Sequence, residues 1–305
     1  MTQKQASIVA LLAALAWGSG NVAQKTILDD LDGWSAGGLT SLIGALILLP
    51  LALREGRGPL PPAKGSLGLL VVISLLFTCA ITLMQFGYGL TTVTNGGFLV
   101  NTAAVLTPIL AWILFGQRPA LAVWPACLFT LLGIFLMTGA RWTGLVSGDI
   151  LALLSATAFA FWTLAVGIYV MRTRRPVLMT TVQLAVSGVI CLGLGAALVG
   201  LPDADAIAGA LPEVLFLGLV SKGLAYVLIA IAQQHVSATA AGIVVSAEAV
   251  FGAMIAAVVL GETLGLVRGT GGFCIILGVI IAARIPAGLP EGAIASVAPS
   301  VSGAR

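Results

Sequence analysis

Ten apolar stretches, most about 20 residues long and each bounded by charge, Gly or Pro, constrain this chain more than any other feature. They run over 6–27, 35–53, 67–88, 93–115, 121–137, 150–170, 179–199, 214–232, 238–260 and 266–283. At about 1.5 Å per residue, a helix of that length matches a hydrocarbon core about 30 Å thick. A backbone in lipid must satisfy its own hydrogen bonds, and these runs lack the alternation of barrel strands, so helix is what remains. Composition agrees: 59% of the 305 residues are apolar and 8% are charged, whereas soluble chains carry about 25% charge. The expected fold is an all-α integral membrane protein of ten transmembrane helices. The first run is longer than a signal-peptide core and no small-residue cleavage motif follows it, so it is expected to stay in the protein.

Basic residues orient the expected helices. With the N-terminus in the cytoplasm, Lys4, Arg54, Arg57, Lys64, Arg118, Arg172, Arg174, Arg175, Arg284 and Arg305 fall inside. Only Lys25, Arg141 and Arg268 fall outside, joined there by Asp29, Asp30, Asp32, Asp203, Asp205, Glu213 and Glu262. The positive-inside rule then puts both termini in the cytoplasm. The tail 285–305, rich in Ala, Gly, Pro and Ser, reads as disordered. A net charge of +3 with no basic cluster gives no nucleic-acid footprint. Cys79, Cys127, Cys191 and Cys274 each lie within an apolar run and lack metal or redox spacing, so they read as packing residues and no cofactor is expected.

The chain also repeats itself. Phe115-Gly-Gln-Arg-Pro-Ala-Leu121 through Ile134 overlays Leu260-Gly-Glu-Thr-Leu-Gly-Leu266 through Val279 at an offset of 145 without a gap. The same offset carries Trp17 onto Trp162 and Gly97 onto Gly242. The units are 1–142 and 143–284, five expected helices each. Because five is odd, the second unit enters the membrane from the opposite side, the inverted repeat of many secondary transporters, whose substrate sits near the midplane between the halves.

Ten helices in two units, Trp17-Gly-Ser-Gly-Asn21 in the first helix, and Leu260-Gly-Glu262 before a Gly-rich last helix resemble the EamA-type proteins of the drug/metabolite transporter superfamily. Within it the chain resembles the YddG-type exporters of aromatic amino acids. The first unit departs from the pattern with Gln117 and Arg118 where Gly-Glu is usual, and Ala249 stands where the family often has Pro after the Glu. The resemblance implies a small-solute exporter of the bacterial inner membrane.

Two ionisable residues stand near helix centres, Lys222 in the eighth run and Glu248 in the ninth. Unpaired, two such charges cost roughly 5–7 kcal/mol on insertion scales. They either pair with each other, tying two helices together, or face a cavity, where a zwitterion could put its carboxylate on Lys222 and its ammonium on Glu248. Glu248 is also the best carrier of a coupling proton. Polar and aromatic residues recur at helical spacing: Ser74, Thr78, Thr82 and Gln85; Thr91, Thr94, Asn95, Phe98, Asn101 and Thr102; Lys222, Tyr226 and Gln233; Trp17, Asn21 and Gln24; Ser155, Trp162 and Tyr169. These faces turn from lipid, toward a cavity or toward one another. Trp17 and Trp162 lie mid-helix, whereas Trp34 and Trp142 suit the interfaces. Indoles lining a midplane cavity, with Phe77, Tyr88, Phe98 and Tyr226 near in depth or face, would stack on flat aromatic solutes or hold an organic cation.

The candidate site is therefore Trp17, Asn21, Phe77, Gln85, Tyr88, Phe98, Asn101, Trp162, Tyr169, Lys222, Tyr226 and Glu248, with amino acids or related small solutes as substrate and the lipid bilayer as surroundings. Pro108 is expected to kink the fourth helix and Pro50 to end the second. Glycines 265, 269, 271, 272 and 278 thin the last helix for packing within the molecule or for a homodimer seam. An enzyme would need a catalytic set, yet the one histidine, His235, falls in an expected loop. A scaffold or receptor would have no need of inward charge. No phosphate-cradling G-x-x-x-x-G-K-[ST] is present, which leaves secondary transport or facilitated diffusion; an exporter of drug-like cations or nucleobase-like metabolites is the alternative to amino-acid export.

Overall fold

A computed structural model of the chain describes all residues except 58–64, 92, 117, 139–145, 261–264 and 286–305. The tail 286–305, Trp142 and Glu262 lie outside the described residues, as do the side chains of Asn21, Thr94 and Asn95. What is described is helix joined by turns. In chain order the elements are α1 (Gln3–Asp30), α2 (Gly33–Gly56), α3 (Ser66–Leu90), α4 (Val93–Asn101), α5 (Ala103–Phe115), α6 (Val123–Met137) and α7 (Ser147–Thr173). They continue with α8 (Pro176–Leu198), α9 (Ala204–Gly209), α10 (Leu211–Phe216), a π-helical segment (Leu217–Leu224), α11 (Ala225–Ala232), α12 (Ala238–Val245), α13 (Glu248–Leu260) and α14 (Leu266–Ala282). Among the described residues seven helical stretches are long and apolar enough to cross a membrane, and α6 and α14 are shorter apolar helices. With α1, 28 residues long, these make a multi-pass membrane protein.

One expectation about helix continuity is corrected, and two runs are interrupted. Pro50 does not end the second helix; α2 runs past it to Gly56, because without water to solvate a broken ladder a helix in lipid accommodates the one missing donor. The fourth run is interrupted, but at Thr102 rather than at Pro108. There the bonding tightens from four-residue to three-residue steps, Thr102 N to Leu99 O at 3.1 Å and Val105 N to Thr102 O at 2.9 Å. Pro108 lies inside α5 and cannot donate to Ala104 O, four residues back; the Cys127 thiol of α6 approaches that carbonyl at 3.7 Å instead. The ninth run breaks without any proline, at Ser246 and Ala247, again through three-residue steps. Thr102 plus the offset of 145 is position 247, so the two breaks fall at corresponding places. Each carries the same local device: Asn101 Nδ2 donates back to Gly97 O at 2.9 Å, and Ser246 Oγ to Gly242 O at 3.4 Å.

Packing between the halves is built on close backbone approach. α2 lies against α8 and α6 against α14. In the second pair a methyl added at Gly133 would fall 2.6 Å from Gly271 O, and one added at Gly271 would fall 2.6 Å from Gly133 O. The Gly-rich last helix thus uses Gly271 and Gly278 within the molecule, while Gly265 and Gly269 meet nothing within 4 Å. α3 packs on α7 as the π segment and α11 pack on α1, and α4 and α5 pack on α7 as α12 and α13 pack on α1. Exchanging the two halves leaves this pattern of neighbours unchanged.

Side-chain caps tie the helix ends together. Glu55, at the end of α2, accepts a 2.6 Å hydrogen bond from Leu178 N in the first turn of α8, satisfying one of the orphan donors there. Gln3 Nε2 donates to Ala283 O and Ile285 O beyond α14, tying the beginning of α1 to the end of α14. Asp149, fully buried, accepts from Thr91 Oγ1 at 2.6 Å and from Val146 N at 3.0 Å, pinning α7 to the end of α3.

Candidate functional site

Between the halves lies a cavity of about 150 Å³, on the order of one that accepts a benzene ring. Six strands of chain wall it. α1 supplies Trp17, Gly20 and Gln24; α3 supplies Met84 and Tyr88; α4 and α5 supply Val100, Asn101, Ala103, Ala104 and Thr107. From the second half come Phe159, Trp162 and Thr163 of α7, Ser221, Tyr226 and Ile229 of the π segment and α11, and Gly242, Val245 and Glu248 around the break in the ninth run. Both helix breaks therefore open onto the cavity.

An aromatic cluster centres on Tyr226. Its ring meets Trp17 at 4.8 Å, Phe77 at 4.9 Å and Trp162 at 5.5 Å between centroids, with interplanar angles of 74°, 89° and 89°. Edge-to-face pairs of this kind contribute about 0.5–1.5 kcal/mol each beyond area burial. Both indoles are also tethered. Trp162 Nε1 donates to Gln183 Oε1 at 2.9 Å, and Trp17 Nε1 to Ser221 O at 3.0 Å. The second bond depends on the π segment. There N–H groups reach five residues back, as Ala225 N does to Val220 O, and the return to four-residue spacing passes over one carbonyl. Ser221 O, next in line, takes the Trp17 indole.

Among the described residues Glu248 is the one charged side chain on the wall. It begins α13, directly after the break, and accepts a 3.2 Å hydrogen bond from Asn101 Nδ2. This bond joins the two breaks across the cavity. Lys222 is elsewhere. It is 5% exposed and does not line the cavity; its ammonium sits over the faces of Phe77, 5.4 Å from the centroid, and Tyr226, 5.9 Å from the centroid. Among the described residues it has no hydrogen-bond or ion-pair partner, and the Lys222–Glu248 pair is not formed. Cation–π contact with desolvated rings contributes about 2 kcal/mol against roughly 2.5–3.5 kcal/mol for a charge at helix centre, which leaves the ammonium only partly compensated.

Of the site residues expected from sequence, Trp17, Tyr88, Asn101, Trp162, Tyr226 and Glu248 come together at the cavity. Phe77 is fully buried behind Tyr226 and Trp162. Gln85 is paired with Gln24, Phe98 packs on Phe135, and Tyr169 is buried in the core of α7. Much of the polar striping serves the helices themselves: Ser74 and Thr78 bond back to Leu70 O and Ser74 O, and Ser155 donates to Ala80 O of the neighbouring α3. Sequence reasoning missed Met84, Phe159, Thr163 and Ser221. Phe159 stands three residues before Trp162 and Met84 four before Tyr88, so helical spacing held a signal for these two, whereas Thr163 and Ser221 merely adjoin Trp162 and Lys222. Gly20 had no signal; a methyl there would collide with the Ser221 hydroxyl. His235 lies in the turn after α11, where burial, the N-terminal amine and Arg174 hold its imidazole below the ordinary range.

The EamA-like transporter family matches the sequence twice, over residues 4–139 and again over 146–284. The chain belongs to the EamA-like transporter family. It is similar to an uncharacterized transporter of Archaeoglobus fulgidus, 26% identical over 88% of this chain and 83% of that one. It is also similar to an uncharacterized transporter of Methanothermobacter thermautotrophicus, 23% identical over 89% of this chain and 84% of the relative. A protein of known crystal structure, 17% identical, superimposes with a TM-score of 0.77 over 91% of this chain and 96% of its own, a likeness of fold alone. In this EamA-like transporter the two family matches meet at the cavity, the first contributing α1 and α3–α5 and the second α7 and the π segment through α13.

Proposed function

We propose that this EamA-like transporter is a secondary exporter of small, flat aromatic solutes that carry a protonated amine, aromatic amino acids among them. The observation that carries the reading is a cavity walled by Trp17, Phe159, Trp162 and Tyr226 whose single charge among the described residues is the Glu248 carboxylate. Aromatic faces take a ring by stacking and an ammonium by cation–π attraction, and the carboxylate supplies a charge-assisted acceptor. The transport cycle in this reading rocks two inverted five-helix units, ten crossings in all, around the fixed site, with both termini cytoplasmic in a bacterial inner membrane. The duplicated family match and the exchange symmetry of helix packing support it. Glu248 would exchange a coupling proton, and the amine would compete with Asn101 for the same oxygens.

A second reading, export of aromatic cations without a carboxylate, is favoured by one observation: among the described residues no basic side chain lines the cavity. Counterflow in proteoliposomes holding the purified chain tests both. L-Tryptophan, L-phenylalanine and tryptamine should exchange and L-leucine should not. Exchange of tryptamine without tryptophan selects the second reading, and exchange of leucine as fast as tryptophan refutes the aromatic basis of either.

A further inference from the structure

We infer that two glutamine bridges gate the cavity, Gln24 to Gln85 at one end and Gln233 to Thr163 at the other, each yielding while its counterpart holds. The inference concerns access to the site and stands whichever solute the site takes.

The bridges lie on opposite sides of the aromatic cluster. Trp17 and Tyr226 touch, 4.8 Å between centroids, and so mark one level in the molecule. Gln24 stands seven residues after Trp17 on α1, and Gln233 seven residues after Tyr226, just past α11; each is about 10 Å further along its axis. The two axes run in opposite senses, because Thr26, near the end of α1, donates to Glu213 of α10, where the run leading to α11 begins. One bridge is therefore displaced toward the Asp30 end of α1 and the other toward the opposite end.

Both bridges have the same construction. Gln24 Nε2 donates to Gln85 Oε1 at 2.5 Å, and Gln233 Nε2 donates to Thr163 O at 3.2 Å. Gln24 and Thr163 line the cavity, whereas Gln85 and Gln233, 4% and 1% exposed, stand behind it. Each buried amide is left half satisfied among the described residues, Gln85 at Nε2 and Gln233 at Oε1. Buried polar atoms are normally paired in full. When one end opens to water both atoms of its amide find partners, so opening costs less than breaking a fully satisfied contact.

The bridged helices have their main packing elsewhere. α1 lies against the π segment, α11 and α13, while α3 lies against α7 and α8. In the other half α7 lies mainly against α3 and α11 mainly against α1. Each bridge thus joins the first and third helical runs of one half, and those two runs grip different helices of the other half. The bridging residues do not correspond at the offset of 145, but the helix pairs do. Rocking of the halves strains these single side-chain bonds before it strains close helix packing. The rings of Trp17, Trp162 and Tyr226 stand between the two bridges as a pivot, so parting at one end presses the other together.

The experiment places a reporter, A103C, on the cavity wall of the full chain carrying C79S; among the described residues the other cysteines are buried. A membrane-impermeant maleimide is applied to intact cells and to inside-out vesicles. D30C, at the exposed end of α1, identifies the face on which the Gln24–Gln85 end lies. Q85M removes that bridge at nearly constant volume. It should speed labelling of A103C from the Asp30 face by about 2- to 10-fold, the effect of one neutral hydrogen bond, and leave labelling from the other face unchanged. Q233M should do the reverse, and Q24M, which breaks the first bridge from its other residue, should match Q85M. A gain on both faces from one variant, a gain on the wrong face, or unchanged labelling in Q85M and Q24M alike overturns the gates. No solute enters the measurement, so a failure of the aromatic reading in counterflow and a failure of the gates are separate results.

Discussion

Replacing Glu248 by Gln removes one charge from the cavity and almost nothing else. The amide oxygen takes the place of Oε1 and still accepts from Asn101 Nδ2, now 3.2 Å away, so the bond between the two helix breaks persists. What is lost is the charge-assisted part of any contact with a substrate ammonium. Hydrogen bonds to charged groups contribute about 1.5–3 kcal/mol, which at about 1.4 kcal/mol per decade is a 10- to 150-fold weakening. The measurement is the half-saturating concentration of tryptamine in counterflow, taken beside that of indole, which offers the same ring without charge. The ratio of the two constants should rise by about 10- to 150-fold in E248Q. An unchanged ratio would refute the assignment of Glu248 as the ammonium partner, and an equal loss for both ligands would show that the residue shapes the cavity rather than reads charge.

Further expectations concern the frame that holds the site. Gly271→Ala places a methyl 2.6 Å from Gly133 O and 2.7 Å from Met137 N, both backbone, and should cost about 1–3 kcal/mol as overpacking, read as a lowered melting midpoint in detergent. Gly269→Ala, with nothing within 4 Å, should leave the midpoint level or raise it, since Ala is the better helix former by about 1 kcal/mol. Trp162→Phe strips Gln183 of its donor when Gln183 Nε2 is already without a partner; about 1–3 kcal/mol of stability should go, visible in the same melt. Glu55→Ala removes the 2.6 Å cap on Leu178 N and should cost about 1 kcal/mol, with no change in substrate ratios in counterflow.

Much of the fold was legible because lipid allows few solutions. Runs of about 20 apolar residues can hide their backbone there only as helices, and among the described residues seven helical stretches are long and apolar enough to cross, with α6 and α14 shorter. The offset of 145 was likewise written in the residues themselves, in Trp17 and Trp162 and in the two Leu/Phe-Gly segments. Side-chain chemistry told which residues were costly to keep, Lys222 and Glu248 above all, since a charge among apolar neighbours announces itself in one dimension.

Which of those residues share a space was decided only by tertiary structure. Lys222 and Tyr226 are four apart and were expected on one face, yet the π segment and the Phe77 ring put the ammonium behind the wall that Tyr226 forms. For Glu248 the sequence left a pair with Lys222 or a cavity-facing place open, and the side chain meets Asn101, 147 positions earlier. The helix breaks were hidden for the same reason: no proline marks Thr102 or Ser246, and the three-residue steps there hold because the opposite half packs against them. Helical periodicity records which way a side chain leaves its own axis, whereas a cavity depends on how far neighbouring axes stand apart. In this chain that distance is set by glycines such as Gly18, where an added methyl would fall 2.6 Å from Glu248 O, and nothing about a glycine in an apolar run tells which backbone it will meet.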